Sequence, residues 1–377
     1  MKTALKVIGI LEKAGYEAYM VGGAVRDYLL GKSPQDIDVT TSASPQEVKS
    51  CFSKTIDTGI QHGTVLVLLD GEGIEVTTFR TESGYSDNRR PDAVEFVKSL
   101  PEDLKRRDFT INAMAMTKEL KVIDFFGGQE DLKRKLIRAV GEPDRRFSED
   151  ALRMLRAVRF SSQLNFMIDE KTLASIKRQA RLIRSIAVER IKTEIDKIMV
   201  NPHTQRSMEY LKTTTLTKHL PAGYLFEVPW EKYIAEGNSV KGWVYMLYHL
   251  EKEFADIRAY KFSNDEKRLI EGALRAARAD FWDAWTYYVY TEEQLQIASA
   301  LREMTVNIPL EKRRLPIHSK TDIQATGRDL MDWSASRQGP WLKKWIEKME
   351  KEIVYGRLQN DKEQIKDWFI NEYNHDA

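Results

Sequence analysis

Val21-Gly22-Gly23-Ala24-Val25-Arg26-Asp27, followed by Asp36-Ile37-Asp38-Val39-Thr40, decides how the rest of the chain is read. The first stretch reads as the end of a strand, a glycine turn and a short helix. The second reads as a strand carrying two carboxylates. Residues two apart on a strand point to one face, so Asp36 and Asp38 are expected side by side. Adjacent carboxylates repel unless a cation lies between them. Mg²⁺ is typically held by one or two carboxylates together with phosphate oxygens. A helix N-terminus after glycines is suited to phosphate. Together the stretches predict a metal-dependent site for a nucleoside triphosphate. Each is weak alone, because Asp-X-Asp is common on solvent faces; their order and spacing make the signal.

The chain has 377 residues, 42% hydrophobic and 31% charged, ordinary for a soluble protein and long enough for two or more domains. No apolar run approaches the roughly 18 residues of a membrane helix. Met1 to Lys6 lacks the apolar core and cleavage site of a signal peptide. The single cysteine, Cys51, excludes an internal disulfide framework and a cysteine-based zinc cluster. A cytoplasmic location and no membrane association are expected. Net charge is only +2, yet residues 151–200 hold eleven Lys/Arg against five Asp/Glu. That excess suits a polyanion, and a solvated helix face accounts for it equally. The six histidines are scattered, which argues against a metal-phosphohydrolase module.

Taken in order, residues 1–14 predict a helix with Leu5, Ile8 and Leu11 on one side. Glu17–Val21 predicts a strand, Ala24–Leu30 a helix, and Ser44-Pro45-Gln46-Glu47 the start of another. Thr64–Leu69 and Ile74–Phe79, joined by Asp70-Gly71-Glu72-Gly73, predict a hairpin. If that hairpin pairs beside the Asp36 strand, Glu75 becomes a third acidic group there. Residues 81–92, with Arg89 and Arg90, read as a polar loop long enough to be functional or a plain surface connection. Asp108 is expected to begin a helix burying Ile111, Met114 and Ala115. Arg107 is available for phosphate, or for a structural pair with Asp108. Val122–Phe126 predicts a further strand.

Beyond about residue 140 the pattern is helical, with breaks near Pro202, Pro221, Pro229, Pro309 and Pro316. Phe147–Leu164 predicts one helix with Ser148 as N-cap. Glu149, Arg153 and Arg156 then lie on one side, flanked by Asp150 and Arg159. Arginine only donates and carboxylate only accepts, so the two together suit the edge of a base. A salt-bridge ladder on an exposed face explains the same spacing and, on spacing alone, is the simpler account. Glu189, Arg190 and Glu194, at helical spacing, fit helix support as easily as chemistry.

In their order, Gly22-Gly23-Ala24-Val25-Arg26-Asp27, Asp36-Ile37-Asp38, Arg106-Arg107-Asp108, Glu149-Asp150-Ala151-Leu152-Arg153 and Arg156/Arg159 resemble the motifs of class II CCA-adding tRNA nucleotidyltransferases. Thr58 to Val65, Gly327-Arg328-Asp329-Leu330 and Gly339-Pro340-Trp341 extend the likeness over nearly the whole chain, in the compact bacterial form. The resemblance implies an α+β protein: a mixed α/β head over 1–140, then a helical neck over 141–200, body over 201–265 and tail over 266–377. It implies template-independent addition of C, C and A to tRNA 3′ ends from CTP and ATP with Mg²⁺, and repair of incomplete ends. It assigns Asp36 and Asp38 to the metal ions and catalysis, with Glu75 as a supporting carboxylate. It assigns Gly23, Arg26 and Arg107 to the triphosphate and Asp108 to the ribose. Asp150 and Arg153 would pair with C or A, Glu149 would orient Arg153, and Arg156 and Arg159 would complete the nucleotide pocket. Loop 81–92 corresponds to the family's flexible loop. The resemblance thus favours base reading over the ladder for 147–164.

The nearest alternatives are a bacterial poly(A) polymerase, which shares the head, and partial enzymes adding only CC or only A. Asp87-Asn88-Arg89-Arg90-Pro91 favours the complete activity. From another class, a catalytically silent tRNA-binding protein is opposed by the intact carboxylates. The basic and aromatic tail suits tRNA held by shape and phosphate contacts. Monomer and homodimer both remain open.

Overall fold

The glycines and the carboxylates lie on adjacent strands. The computed structural model describes residues 1–34, 36–59, 63–83 and 93–376. In it β1 (Ala18–Val21) runs antiparallel to β2 (Asp38–Thr41), with Val21 opposite Asp38. β3 (Thr55–Gly59), β4 (Thr64–Leu69) and β5 (Glu72–Thr78) form a meander, and β2 pairs with β5 in parallel, setting Asp38 beside Glu75. β6 (Arg80–Ser83) and β7 (Ala93–Phe96) pair as a separate ladder. β8 (Met114–Met116) and β9 (Val122–Asp124) complete the main sheet, whose order is β3-β4-β5-β2-β1-β8-β9.

Alternation explains the faces of this sheet. On β5, Ile74, Val76 and Thr78 are buried while Glu75 between them is exposed. Helix α1 (Lys2–Lys13) lays Ala4, Val7, Ile8 and Leu11, all fully buried, against β1, β2 and β5. The short helices α2 (Gly23–Leu29), α3 (Pro45–Cys51), α4 (Leu100–Lys105) and α5 (Gly128–Lys133) fill the connections. Ser44 and Glu47 form a reciprocal capping box at α3.

A helical segment follows: α6 (Pro143–Glu149), α7 (Leu152–Leu164), α8 (Glu170–Gln179) and α9 (Val188–Met199). α7 packs on α9 and on the helix Thr204–Thr213. The chain divides into two compact units, Met1–Ser239 with Ala259–Lys261, and Val240–Arg258 with Phe262–Ala377. Among its described residues the regular elements of the second unit are all helices. Its larger core gathers Leu330, Trp345, Ile353, Ile365 and Phe369, with Trp345 edge-on to Phe369 at 5.4 Å between centroids. No helix among the described residues is long and apolar enough to cross a membrane.

Four local expectations are corrected. Strand β2 begins at Asp38, and Asp36 lies in the bend before it, so strand alternation does not pair them. The expected helix at Asp108 is a single 3₁₀ turn, Thr110–Asn112, followed by β8. There Met114, Ala115 and Met116 are all buried, so periodicity could not separate strand from helix. The expected helix 147–164 is two helices, broken at Asp150, whose backbone is extended (φ −140°, ψ 104°). Thr81–Ser83 belong to β6 instead of a loop, while 84–92, with Arg89 and Arg90, lie outside the described residues, as do Ile60–His62.

Gly128 is a point of close backbone packing beside β8. A Cβ there would stand 2.3 Å from the Thr110 carbonyl oxygen and 2.9 Å from Met114 Cγ. The turn it presses on carries Asn112 and leads into β8. We expect Gly128→Ala to lower stability by about 2–3 kcal/mol, read as a reduced urea midpoint with an unchanged slope; an unchanged midpoint would contradict this packing.

Candidate active site

Three carboxylates gather where β2 pairs with β5, in the middle of the sheet. Asp36, Asp38 and Glu75 line a common open cavity with Glu72 and Ile74. Burial pushes the Asp38 carboxyl above its ordinary range; Arg107 opposes this, and the Asp36 charge adds to it. The two aspartates are therefore close enough to repel. Among the described residues no group of three His, Cys, Asp or Glu side chains is arranged to hold a metal ion. A cation here would rest on the aspartate pair and on oxygens brought by a substrate.

Asp38 also lines a second cavity of about 460 Å³ that continues past the glycine turn. Gly22 follows directly on Val21, the partner of Asp38, and has φ +71°, a conformation suited to glycine. A Cβ there would come within 3.0 Å of Arg107 Nη1. Seven arginines and three aspartates line this cavity, an excess of positive charge that suits a polyphosphate. Two of its buried guanidinium nitrogens, Arg107 Nε and Arg190 Nη1, have no hydrogen-bond partner among the described residues. Unpaired buried donors are costly and mark places for a ligand's acceptors.

Carboxylates in and behind the cavity fix the arginines. Asp103, fully buried, accepts from Arg106 at 3.0 Å and Arg107 at 3.4 Å. Glu149 accepts from Arg153 Nη1 at 2.8 Å and Arg146 at 2.7 Å. Arg153 also donates to the carbonyls of Arg146 and Arg106. Glu194 accepts from Arg159 Nε at 2.6 Å. Asp108 accepts from Arg156 Nε at 2.8 Å and Nη2 at 2.6 Å, and from Asn112 at 3.3 Å. Arg26 donates to Asn112 at 2.7 Å. The ring of Phe160 has the guanidinium carbons of Arg159, Arg26 and Arg156 at 4.1, 5.4 and 5.6 Å from its centroid.

Asp150 occupies the break between α6 and α7. One carboxylate oxygen accepts the Leu152 N–H at 3.0 Å, and the other accepts from Arg190 at 3.1 Å.

Of the twelve residues singled out in the sequence, nine line the arginine-rich cavity: Gly23, Arg26, Asp38, Arg107, Asp108, Asp150, Arg153, Arg156 and Arg159. Asp36 and Glu75 line the adjoining one, and Glu149 stands behind Arg153. The alternative Arg107–Asp108 pair does not form: Arg107 turns to Asp103 and Asp108 to Arg156. Asp103, Asn112, Phe160 and Arg190 were not anticipated. Only the spacing of Arg190 and Glu194 on α9 hinted at a role; the others are placed by contacts distant in sequence.

The chain matches the family described as "Poly A polymerase head domain" over residues 18–138 and the one described as "Probable RNA and SrmB- binding site of polymerase A" over 165–223. A CCA-adding enzyme of Bacillus cytotoxicus is 41% identical over 97% of each chain, and one of Bacillus cereus is 39% identical over the same shares. The structure of the Bacillus stearothermophilus CCA-adding enzyme in complex with CTP superposes with a TM-score of 0.90 at 35% identity, covering 99% of this chain and 98% of that one. The Thermotoga maritima CCA-adding enzyme complexed with tRNA shares the fold at a TM-score of 0.66 and 20% identity.

The buried pairs make the protein acid-sensitive. Burial raises the Asp108 carboxyl, but Arg156 outweighs it and holds the group down at about 2. Asp103 is likewise held low by Arg106 and Arg107 against its burial. An aspartate depressed in the folded state stabilises above its unfolded value near 3.9, and that contribution is lost as pH falls through the folded value. For Asp108 this amounts to about 2 kcal/mol lost between roughly pH 4 and 2. Urea unfolding across pH 6 to 2 should therefore show a smaller acid loss in Asp108→Asn than in the parent chain; identical pH profiles would contradict the pairing.

Proposed function

Because the chain belongs to the family of CCA-adding enzymes, we propose that it adds C, C and A in turn to the 3′ end of tRNA, taking CTP and ATP and releasing pyrophosphate. The same reaction repairs incomplete tRNA ends, and the working compartment is the cytoplasm. The observation that carries the reading is the continuity of the Asp36–Asp38 pair with an arginine-rich cavity that still holds two unpartnered buried donors. Nucleotidyl transfer asks mainly for positioning and charge neutralisation, which that combination supplies.

Asp36 and Asp38 fit Mg²⁺: both are hard oxygen donors, mutually repelling, with room beside them for phosphate oxygens. Bound there, Mg²⁺ would supply charge for the attacking 3′-hydroxyl and the leaving pyrophosphate. Glu75, register-matched to Asp38, adds negative potential there. Gly23 lets the triphosphate approach the backbone, and Arg26 and Arg107 donate to its oxygens. Asp108, anchored by Arg156, faces the ribose.

Asp150 and Arg153 read the base in place of a nucleic-acid template. C and A each offer an amino donor beside a ring-nitrogen acceptor, whereas U and G present other patterns. Glu149 fixes Arg153, Arg190 steadies Asp150, and Arg156 and Arg159 close the pocket around Phe160. In this division 1–140 is the catalytic head, 141–200 the base-reading neck, 201–265 the body and 266–377 the tRNA-binding tail.

Incubation with a tRNA transcript lacking its last three nucleotides, CTP, ATP and Mg²⁺, followed by 3′-end sequencing, tests the reading. Growth that stops at CCA is expected. A long A tract would mean a poly(A) polymerase, and arrest at CC a partial enzyme. Asp36→Ala and Asp38→Ala should each cut incorporation by at least about 10³-fold without lowering the unfolding midpoint, because ionised Asp38 is already disfavoured where it sits. Parent-like rates would remove the metal role. The double variant Asp150→Ala/Arg153→Ala should admit UTP and GTP in a misincorporation assay; unchanged selectivity would refute base reading.

A further inference from the structure

Arg153 is held in place by a second arginine that does not line the arginine-rich cavity. Arg146, on α6, is buried. Its Nη2 donates to Glu149 Oε1 at 2.7 Å, while the other oxygen of that carboxylate accepts from Arg153 Nη1 at 2.8 Å. The Arg146 backbone carbonyl accepts from the same Arg153 nitrogen at 3.1 Å. Arg146 Nη1 donates to the Lys105 carbonyl at 3.2 Å, and Arg153 Nη2 donates to the next carbonyl, that of Arg106, at 3.0 Å. Lys105 ends α4. The last carbonyls of a helix lack partners within it and favour cations. The two arginines therefore dock on consecutive carbonyls of one helix end, with Glu149 bridging them.

Glu149 has a third partner of a different kind. Arg145 reaches Oε1 at 3.2 Å, but its side chain is 73% exposed against 8% for Arg146. A solvated i,i+4 pair holds a carboxylate weakly, and a buried charge-assisted contact holds it more firmly. Without the Arg146 guanidinium, Glu149 would follow Arg145 toward water and release Arg153 Nη1. Helix α6 itself would stay anchored. At its start Asp144 accepts from Ser175 at 2.5 Å and from Arg178 at 2.8 Å, both on α8. Arg146 lines a small cavity of about 180 Å³ with Lys105 and Glu149, apart from the arginine-rich one. Its effect on a nucleotide must therefore pass through its neighbours.

We propose that Arg146 is a positioning residue for nucleotide choice, fixing Arg153 through Glu149 and docking α6 on the end of α4. It sets the direction in which Arg153 donates and leaves the affinity for the triphosphate untouched. This role rests on the reading that Asp150 and Arg153 recognise the base. Removing Arg146 then costs the correct nucleotides a matched donor, whereas mismatched ones have none to lose.

The test is single-nucleotide incorporation by the full chain with Mg²⁺, comparing CTP with UTP on tRNA lacking CCA and ATP with GTP on tRNA ending in CC. In R146M, kcat/KM for CTP and ATP should fall about tenfold, with UTP and GTP at parent values. A general loss of fold would lower all four together. Inhibition by inorganic pyrophosphate, which has no base, should be unchanged. R146K, able to reach Glu149 but not the Lys105 carbonyl as well, should recover part of the selectivity. Because Arg146 acts through Glu149, R146M/E149Q should discriminate no worse than E149Q alone. Should R146M fail to fold, R146K and R145M carry the test, with selectivity lowered about threefold in the first and parent-like in the second. Parent-like selectivity in R146M, an equal loss in R145M, or additive losses in the double variant would overturn the proposal. Relaxed choice in Asp150→Ala/Arg153→Ala beside a parent-like R146M removes the positioning role alone; unchanged choice in both removes base reading with it.

Discussion

The ion pair between Asp108 and Arg156 is the constraint on which the arginine-rich cavity depends. It joins residues 48 apart in sequence, one in the segment between α4 and the 3₁₀ turn before β8 and the other on α7. Two donors of one guanidinium meet the same carboxylate oxygen at 2.8 and 2.6 Å, a charge-assisted contact of the strong kind. Burying both charges is expensive, and loss of one partner would leave the other uncompensated. Asn112 divides its amide between the two sides, donating to Asp108 and accepting from Arg26. The sheet, the glycine helix and α7 are thus fixed to one another by a chain of polar contacts, beside which Phe109 and Phe160 meet edge-on at 5.8 Å between centroids.

The sheet adds a second constraint through register. Parallel pairing of β2 with β5 sets Asp38 beside Glu75, and antiparallel pairing with β1 sets it beside Val21. A slip of β2 by one residue would turn Val39 out to water and Asp38 toward the core. The apolar face beneath α1 therefore holds the acidic group in place. Repulsion between Asp36 and Asp38 is tolerated because Arg107 stands near Asp38 and because the bend leaves Asp36 exposed.

Much of this was legible because it is local. Gly22-Gly23 and the Asp36–Asp38 spacing announce a turn and an acidic pair within twenty residues, and the β4–β5 hairpin is marked by its Asp-Gly-Glu-Gly turn. Alternation on β5 even put Glu75 in question from the sequence. What was not legible depends on long-range partners. Met114-Ala115-Met116 is apolar throughout, so its strand character comes only from pairing with β1 and β9. The break at Asp150 lacks glycine or proline; the aspartate side chain caps α7 itself, a competition with helical hydrogen bonding that spacing counts miss. Asp103 and Arg190 look like ordinary helix-surface charges until the fold turns them toward Arg107 and Asp150.

The pre-paired state of the arginines bears on how one pocket could accept two bases and reject two. A flexible arginine would follow whichever base arrived and would recover most of the binding lost to a mismatch. Here Arg153 is held at both terminal nitrogens by Glu149 and two backbone carbonyls, and Asp150 by a backbone N–H and Arg190. In the proposed function a base must match groups that cannot move far. A mismatched base then leaves buried polar groups unpaired, and such groups discriminate more strongly than lost contacts do. The triphosphate end works differently. In the proposed function its partners, Arg107 and Arg26, would face the same phosphates whichever base is attached, so affinity there would be shared by all four nucleotides and choice would fall on the helix break at Asp150.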